Sequence, residues 1–94
     1  MQIEITRKFQ KQVEKCKDQR IKSKIRGIIE GVIAEENMNT FLAQSGIHNV
    51  KKLTGYKNSY RIRLGAYRIG LIIEDNSVIF AAFDHRSDIY KYFP

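Results

Sequence analysis

The chain lacks several features on which common functional sites depend. Its single cysteine, Cys16, cannot form an internal disulfide, and no Cys or His spacing is typical of a zinc site. It has no glycine-rich phosphate loop and no pattern of a nucleophilic triad. Glu30, Glu35 and Glu36 are typical of a solvated helix and form no catalytic carboxylate pair. We therefore expect neither a metal site nor a cofactor.

Proline and long apolar runs are also scarce. The one proline is the last residue, Pro94, and the sequence shows no Gly/Ser-rich linker and no internal repeat, which predicts a single domain over residues 1–94. No apolar stretch approaches the roughly 18 residues of a membrane span, and the first residues lack the apolar core of a signal peptide. We expect a cytoplasmic protein.

Positive charge is abundant. Seventeen Lys and Arg residues against ten Asp and Glu give a formal charge of +7, with a pI near 9.7. This balance favours a polyanionic partner, which could be RNA, DNA or an acidic protein. A basic composition is also common among proteins without such a partner. The clustering of the charges is therefore what distinguishes the two cases.

The strongest cluster lies in a predicted β-hairpin over residues 60–73. Apolar and basic residues alternate before Gly65-Ala66, which suits a two-residue type II′ turn. This register places Arg63 opposite Arg68, with Arg61 one pair further along the same face. Because like charges directly opposite each other are destabilising, three arginines on one face suggest a bound phosphate.

The remaining pattern predicts an α+β domain. Ile3 and Ile5 indicate an outer strand, Thr6 can cap a first helix, and a second helix begins at Asp18. The helices should form an antiparallel hairpin packed on a mainly antiparallel four-stranded sheet. Their apolar stripes are Phe9, Val13 and Cys16 in the first helix, and Ile21, Ile25, Ile28, Ile29, Val32 and Ile33 in the second.

Strands are predicted over residues 48–53, in the basic hairpin, and in a second hairpin that turns at Asp75-Asn76. Between residues 35 and 46 the pattern is weaker: Phe41 and Leu42 should pack beneath a short helical turn, and Ser45-Gly46 should form a turn. A short terminal helix capped by Ser87 should bring Arg86 and Tyr90 beside the arginines.

If the paired strands alternate regularly along their whole length, the sheet residues divide between two faces. One face should pack against the helices and carry Tyr60, Ile62, Leu64, Tyr67, Ile69, Leu71, Ile73, Val78, Phe80 and Ala82. The other should carry Arg61, Arg63, Arg68, Gly70, Ile72, Ile79, Ala81, Phe83 and His85.

These residues suit the cleavage of RNA by its own 2′-hydroxyl, which needs a base, an acid and cations around the phosphate. The cations would be Arg61, Arg63, Arg68 and Arg86. Their charge would stabilise the phenolate of Tyr90 as a base, and His85 could transfer a proton.

Lys51 and Lys52 could contact RNA beside Arg61 and Arg63, although exposed lysines also protect edge strands. The arginines could equally form a solvated face, with Tyr90 anchoring the terminal helix and His85 ending a strand.

The order of elements resembles the RelE/ParE toxin superfamily over nearly the whole chain. The residues that carry the resemblance are Val50-Lys51-Lys52-Leu53, Tyr60-Arg61-Ile62-Arg63-Leu64, Tyr67-Arg68-Ile69 and His85-Arg86-Ser87-Asp88-Ile89-Tyr90. The basic hairpin, followed at this distance by the last of these segments, resembles the RelE-like branch of the superfamily. That resemblance implies cleavage of mRNA in the ribosomal A site and a cognate antitoxin that wraps the toxin.

Residue by residue, the resemblance makes Arg61 and Arg63 the basic pair of the central strand and Arg68 the phosphate-stabilising arginine. Arg86 and Tyr90 match the late arginine and the terminal tyrosine proposed as the base. Asp84 stands where many relatives have Gly, and only four residues follow Tyr90. The base is Tyr90 or His85. The alternatives are a ParE-like inhibitor of DNA gyrase and an inactive RNA-binding relative.

Overall fold

The computed structural model describes residues 1–37 and 50–94. The expectations for Phe41, Leu42, the Ser45-Gly46 turn and the first two residues of the 48–53 strand lie outside the described residues. The elements in chain order are β1 (Gln2–Ile5), α1 (Arg7–Lys15), α2 (Gln19–Ala34), β2 (Val50–Lys52), β3 (Ser59–Leu64), β4 (Tyr67–Glu74), β5 (Ser77–His85) and a 3-10 helix (Ile89–Lys91).

Both long helices begin at the caps that the sequence predicts. The Thr6 hydroxyl accepts a hydrogen bond from the Phe9 N–H at 3.1 Å. The Asp18 carboxylate accepts from the N–H groups of Arg20 and Ile21, at 3.0 and 3.3 Å. These bonds satisfy backbone donors that the first helical turn leaves without intrahelical partners, and they fix where each helix starts.

The apolar stripes of the helices pack on one face of the sheet, which we call the helix face. Phe9 and Cys16 of the first stripe are buried, as are Ile21, Ile25 and Val32 of the second. The prediction is wrong for Ile33, which is 51% exposed, because it follows the buried Val32 and points about 100° away from it around the helix.

The sheet has five strands in the order β1-β5-β4-β3-β2. The N-terminal strand pairs parallel to β5, and the other neighbours are antiparallel, which confirms the predicted α+β class. The basic hairpin has the predicted register, with Arg63 opposite Arg68 and Leu64 opposite Tyr67. Gly65 takes a φ of +62° at the first turn position, where a side chain would be strained.

A β-bulge in β5 changes the predicted faces at the end of that strand. Leu71 pairs with Phe80, whereas its neighbour Gly70 pairs with Ala82, so Ala81 is an extra residue. One extra residue reverses the alternation beyond it. Ala82 therefore lies on the arginine-bearing face and Phe83 on the helix face, the opposite of what even pairing predicts.

The backbone groups around the bulge are satisfied by the helical side of the molecule. The Thr6 hydroxyl lies within hydrogen-bond distance of the Phe80 and Ala81 carbonyls, at 3.1 and 3.2 Å. The Phe83 N–H donates to the Gln12 side-chain oxygen at 2.9 Å. Since β1 ends at Ile5, Thr6 and α1 provide the hydrogen-bond partners that a longer edge strand would otherwise supply.

Two apolar clusters sit on opposite faces of the sheet. The larger lies between the sheet and the helices, and it includes Phe9, Phe80 and Phe83. The smaller lies on the arginine-bearing face, where Ala82, Ile89 and Phe93 pack together. The chain after β5 thus folds back across the sheet and covers part of the face that carries the arginines.

Candidate active site

The arginine face, defined by Arg61, Arg63 and Arg68, is built from two rows of cross-strand neighbours. In one row Lys51 lies opposite Arg61, which lies opposite Gly70. In the next row Arg63 lies opposite Arg68, which lies opposite Asp84. The structure therefore brings four of the predicted cations onto one face of three adjacent strands.

Lys52 does not join this group. It lies opposite Tyr60, whose side chain packs against the larger core on the helix face. Because side chains alternate along a strand, the two neighbouring lysines belong to different faces. Both are exposed, but only Lys51 is aligned with the arginines.

Arg68 is buried, with 9% of its surface exposed, whereas the sequence predicts an exposed side chain. Its Nη1 donates to the carbonyls of Tyr67 and Gly65 at 2.7 and 2.8 Å. These bonds turn the guanidinium back onto the Gly65-Ala66 turn and away from the exposed Arg63. This arrangement reduces the like-charge repulsion that their direct opposition would produce.

Arg61 is the centre of the electrostatic arrangement. Partial burial lowers the pKa of Arg61, and the positive charge of Arg63 lowers it further. Tyr90 raises this pKa, and the positive charge of Arg68 lowers it. These effects require Tyr90 and both arginines to lie close to the Arg61 guanidinium. Tyr90 is 48% exposed, so its ring is open to solvent.

The segment that carries Tyr90 is held at two places. On the arginine face, Ile89 and Phe93 are buried against Ala82. The Phe93 ring lies directly over Gly70, where an added Cβ would be 2.6 Å from a ring carbon. A side chain at position 70 would occupy the space of the ring, and this close approach explains a glycine in the middle of a strand.

Tyr92 provides the second attachment. Its hydroxyl donates to Asp84 Oδ2 at 2.8 Å and accepts from Gln12 Nε2 at 2.6 Å. The Lys8 ammonium lies 3.7 Å from the centre of the Tyr92 ring, a cation–π contact. Burial, together with the bond to the Asp84 carboxylate, raises the pKa of Tyr92 to about 12. Tyr92 is therefore held in its neutral, hydrogen-bonded form.

His85 does not lie on the predicted face. The bulge places it opposite Tyr67, and the two rings meet edge to face at 6.0 Å. The Ser87 N–H donates to His85 Nδ1 at 3.1 Å, which places the neutral ring's proton on Nε2. The Ser87 hydroxyl also contacts Nδ1, at 2.7 Å. Ser87 therefore orients His85. It does not cap the terminal helix as the sequence predicts, because the 3-10 helix begins without a side-chain cap.

Arg86 and Asp84 occupy the border of the arginine face. The Arg86 N–H donates to the Ala66 carbonyl at 2.8 Å, which ties the start of the terminal segment to the hairpin turn, and its side chain is exposed. Asp84 lies opposite Arg68 in the register, but its carboxylate accepts hydrogen bonds from Tyr92 and from the His85 N–H. Its negative charge is thus directed to the terminal segment.

Sequence reasoning missed the residues that support the site. Gly70 inside an apolar strand is a recognisable signal of close backbone approach, but it does not identify Phe93 as the neighbour. Nothing in the sequence pattern relates Gln12 to Asp84 and Tyr92. Within residues 1–37 and 50–94, no group of three or more His, Cys, Asp or Glu side chains is arranged to hold a metal ion. No helix in these ranges is long and apolar enough to cross a membrane.

Comparison with known proteins identifies the family of this chain. The model of the ParE toxin of the type II toxin–antitoxin system parDE matches residues 3–90. The chain belongs to this toxin family. Its RelE-like character is shown by the toxin RelE3 of Methanocaldococcus jannaschii, which is 43% identical over 63 residues, covering 67% of this chain and 72% of that protein.

Solved structures agree with the observed fold. A RelB-RelE antitoxin-toxin complex from Methanococcus jannaschii matches with a TM-score of 0.79 and 33% identity, covering 97% of this chain and 99% of the matched one. A RelE-RelB complex from Pyrococcus horikoshii matches with a TM-score of 0.71 at 18% identity, covering 93% and 96% of the two chains. The second likeness concerns the fold alone.

Proposed function

We propose that this toxin is a ribosome-dependent endoribonuclease that cleaves mRNA in the ribosomal A site and so inhibits translation. The observation that carries the proposal is the exposed Tyr90 beside Arg61 on a face with two further arginines. This arrangement offers a proton acceptor next to cations that can hold a phosphate, which are the groups that cleavage by a 2′-hydroxyl needs.

In the proposed reaction the Tyr90 phenolate takes the proton of the 2′-hydroxyl. The 2′-oxygen attacks the adjacent phosphorus, a 2′,3′-cyclic phosphate forms, and the bond to the 5′-oxygen breaks. Arg61 and Arg63 bind the phosphate oxygens and stabilise the charge that develops on them, and the exposed Arg86 approaches from the hairpin turn. The proton that Tyr90 has taken up passes through solvent to the 5′-oxygen, which restores the phenolate and completes the step.

Arg68 has a different part in this proposal from the one its charge alone suggests. Its Nη1 is committed to two carbonyls of the turn, so it holds the hairpin shape and adds a buried positive charge behind Arg61. The exposed guanidinium of Arg63 is the better direct ligand for a phosphate, because its donors are not occupied by the turn.

Tyr90 fits the role of base better than His85. Tyr90 is exposed and lies beside Arg61 on the arginine face. His85 belongs to the other face, where Ser87 donates to its Nδ1 and Tyr67 packs against its ring. With Nδ1 engaged, only Nε2 could face a substrate, and that atom carries the proton of the neutral ring.

Inhibition of DNA gyrase is the second candidate, because the matching family model is described as ParE. An inhibitor that acts by binding a protein has no need of a tyrosine placed beside an arginine cluster. The solved relatives also suggest a partner: they are complexes of RelE with RelB. We propose that this toxin likewise has a cognate antitoxin, which covers the arginine face.

Purified protein incubated with mRNA-programmed ribosomes, with the same mRNA alone, and with gyrase tests the proposal. We expect cuts within the translated frame on ribosomes and poor cutting of free mRNA, because the chain has few groups that could orient a single strand without the ribosome. Supercoiling by gyrase should be unaffected. Loss of supercoiling with intact ribosome-bound mRNA would favour the gyrase inhibitor.

A further inference from the structure

The net charge of the protein is confined to one layer. Residues 7–26, which form α1 and most of α2, contain nine Lys and Arg side chains and only two acidic ones, Glu14 and Asp18, for a formal charge of +7. The rest of the chain has eight cations and eight acids, so its formal charge is zero. The arginine face therefore belongs to the part of the protein that is neutral overall.

The cations of this helical layer have no acidic partners among the described residues, and Lys8 contacts the Tyr92 ring. All nine are exposed except Lys22, which is half-buried. Within residues 1–37 and 50–94 the salt bridge that the structure shows is Lys91–Asp88, far along the chain from the helices. The cations of the layer are Arg7, Lys8, Lys11, Lys15, Lys17, Arg20, Lys22, Lys24 and Arg26.

This charge pattern opposes the stability of the helices themselves. Neither helix has an acid in its first turn, and both have an arginine there, where the positive end of the helix dipole disfavours a cation. Four pairs of cations are spaced i, i+4: Arg7–Lys11, Lys11–Lys15, Arg20–Lys24 and Lys22–Arg26. Each such pair is slightly unfavourable in a helix. A pattern that costs folding free energy suggests a role in binding.

We infer that the helical layer is a second RNA-binding surface, which takes the phosphate backbone of an RNA duplex such as ribosomal RNA. The inference rests on the proposed function for the identity of that RNA. The helices pack on the face of the sheet opposite the arginines, so an RNA strand held at Arg61 and Arg63 leaves the layer open for another polyanion.

The chemistry of the layer favours a duplex over a single strand. Phe9 is the one aromatic residue of the two helices, and it is buried. Proteins that grip single strands stack bases on exposed aromatic rings, and the layer has none to offer. Long, flexible ammonium and guanidinium groups are suited instead to sequence-independent contacts with phosphates.

The test compares charge reversals in the layer with the same reversal elsewhere. Lys11→Glu and Lys24→Glu lie on α1 and α2 and convert unfavourable i, i+4 pairs into favourable ones, so folding should be kept or improved. Lys57→Glu makes one such reversal at an exposed position between β2 and β3, so each single variant, Lys11→Glu or Lys24→Glu, has the same net charge as this control. Binding is measured to a short blunt-ended RNA duplex and to ribosomes without mRNA, at several salt concentrations.

We expect the Lys11→Glu/Lys24→Glu variant to bind both probes at least tenfold more weakly and to lower the slope of log affinity against log salt by about 2. Lys57→Glu should leave duplex binding near that of the parent. Duplex binding by the double variant equal to that of Lys57→Glu would overturn the inference.

The same set separates the inference from the proposed function. Duplex binding that depends on the layer, in a protein that never cuts ribosome-bound mRNA, would leave the inference standing and remove the nuclease. If the double variant kept its RNA affinity but lost affinity for an acidic protein partner, the layer would be a protein-binding surface and the inference would be wrong.

Discussion

Arg68 shows how the surroundings of a charged side chain decide what its removal does. Viewed as an exposed arginine opposite Arg63, it could be replaced without loss of stability. The structure buries it and gives its Nη1 two carbonyl partners. Leaving partly buried carbonyls without a donor costs free energy, so the expectation from the sequence has to be reversed.

We expect Arg68→Ala to lower the free energy of unfolding by about 1–3 kcal/mol and to reduce cleavage as the hairpin turn loosens. Arg63→Ala is the matched control, because Arg63 is exposed and directly opposite. It should reduce cleavage while changing stability by less than about 0.5 kcal/mol. Equal stability of the two variants in denaturant titrations would contradict this account of Arg68.

The terminal segment is the element on which the geometry of the site depends most. Ile89 and Phe93 hold it on the arginine face, and Tyr92 holds it to α1 through Gln12. Tyr90 lies between these attachments. A change at Gly70 that displaces Phe93 should therefore reach the site without touching the residues that bind phosphate.

Gly70→Ala should destabilise the protein by about 1–3 kcal/mol, because the new methyl group overlaps the Phe93 ring. It should also slow cleavage by moving Tyr90 away from Arg61. The effect should be non-additive: in a Phe93→Ala background the space is already empty, and Gly70→Ala should cost much less. A double-mutant cycle of unfolding free energies measures this, and a fully additive cycle would show that ring and glycine act independently.

Alkaline pH should selectively loosen the Tyr92 attachment. The pKa of Tyr92 is raised from its ordinary value near 10 to about 12. The folded state therefore binds this proton more tightly, and the resulting stability is full below about pH 10 and is lost as pH rises through about 12. The difference in unfolding free energy between the parent and Tyr92→Phe should shrink over this range. A difference that stayed constant from pH 9 to 12 would contradict the role of the hydroxyl.

At the scale of the whole molecule, the sequence predicts the fold wherever one rule controls the local structure. Helix starts at Thr6 and Asp18 follow from their capping side chains, and the basic hairpin follows from strict alternation around Gly65. The family resemblance also agrees with the comparisons. These features depend on residues close together in the chain, so a short window contains the information.

The parts that the sequence could not predict depend on distant residues. The bulge at Ala81 lies in an apolar run without alternation, and its backbone groups are satisfied by Thr6 and Gln12 from the other end of the chain. That one extra residue moves His85 away from the arginines. The burial of Arg68 depends in the same way on the three-dimensional course of the turn, which residue type alone does not reveal.

Cleavage by a matched pair of tyrosine variants tests the central claim most directly. Tyr90→Phe and Tyr92→Phe each remove one hydroxyl from the same segment, and only the first lies beside Arg61. In single-turnover reactions on mRNA-programmed ribosomes at saturating toxin, Tyr90→Phe should bind normally and cut at least roughly 10²-fold more slowly. Tyr92→Phe should retain most of the rate at pH 7. Parental cleavage by Tyr90→Phe would contradict the account, and loss of cleavage in His85→Ala instead would move the base to the imidazole.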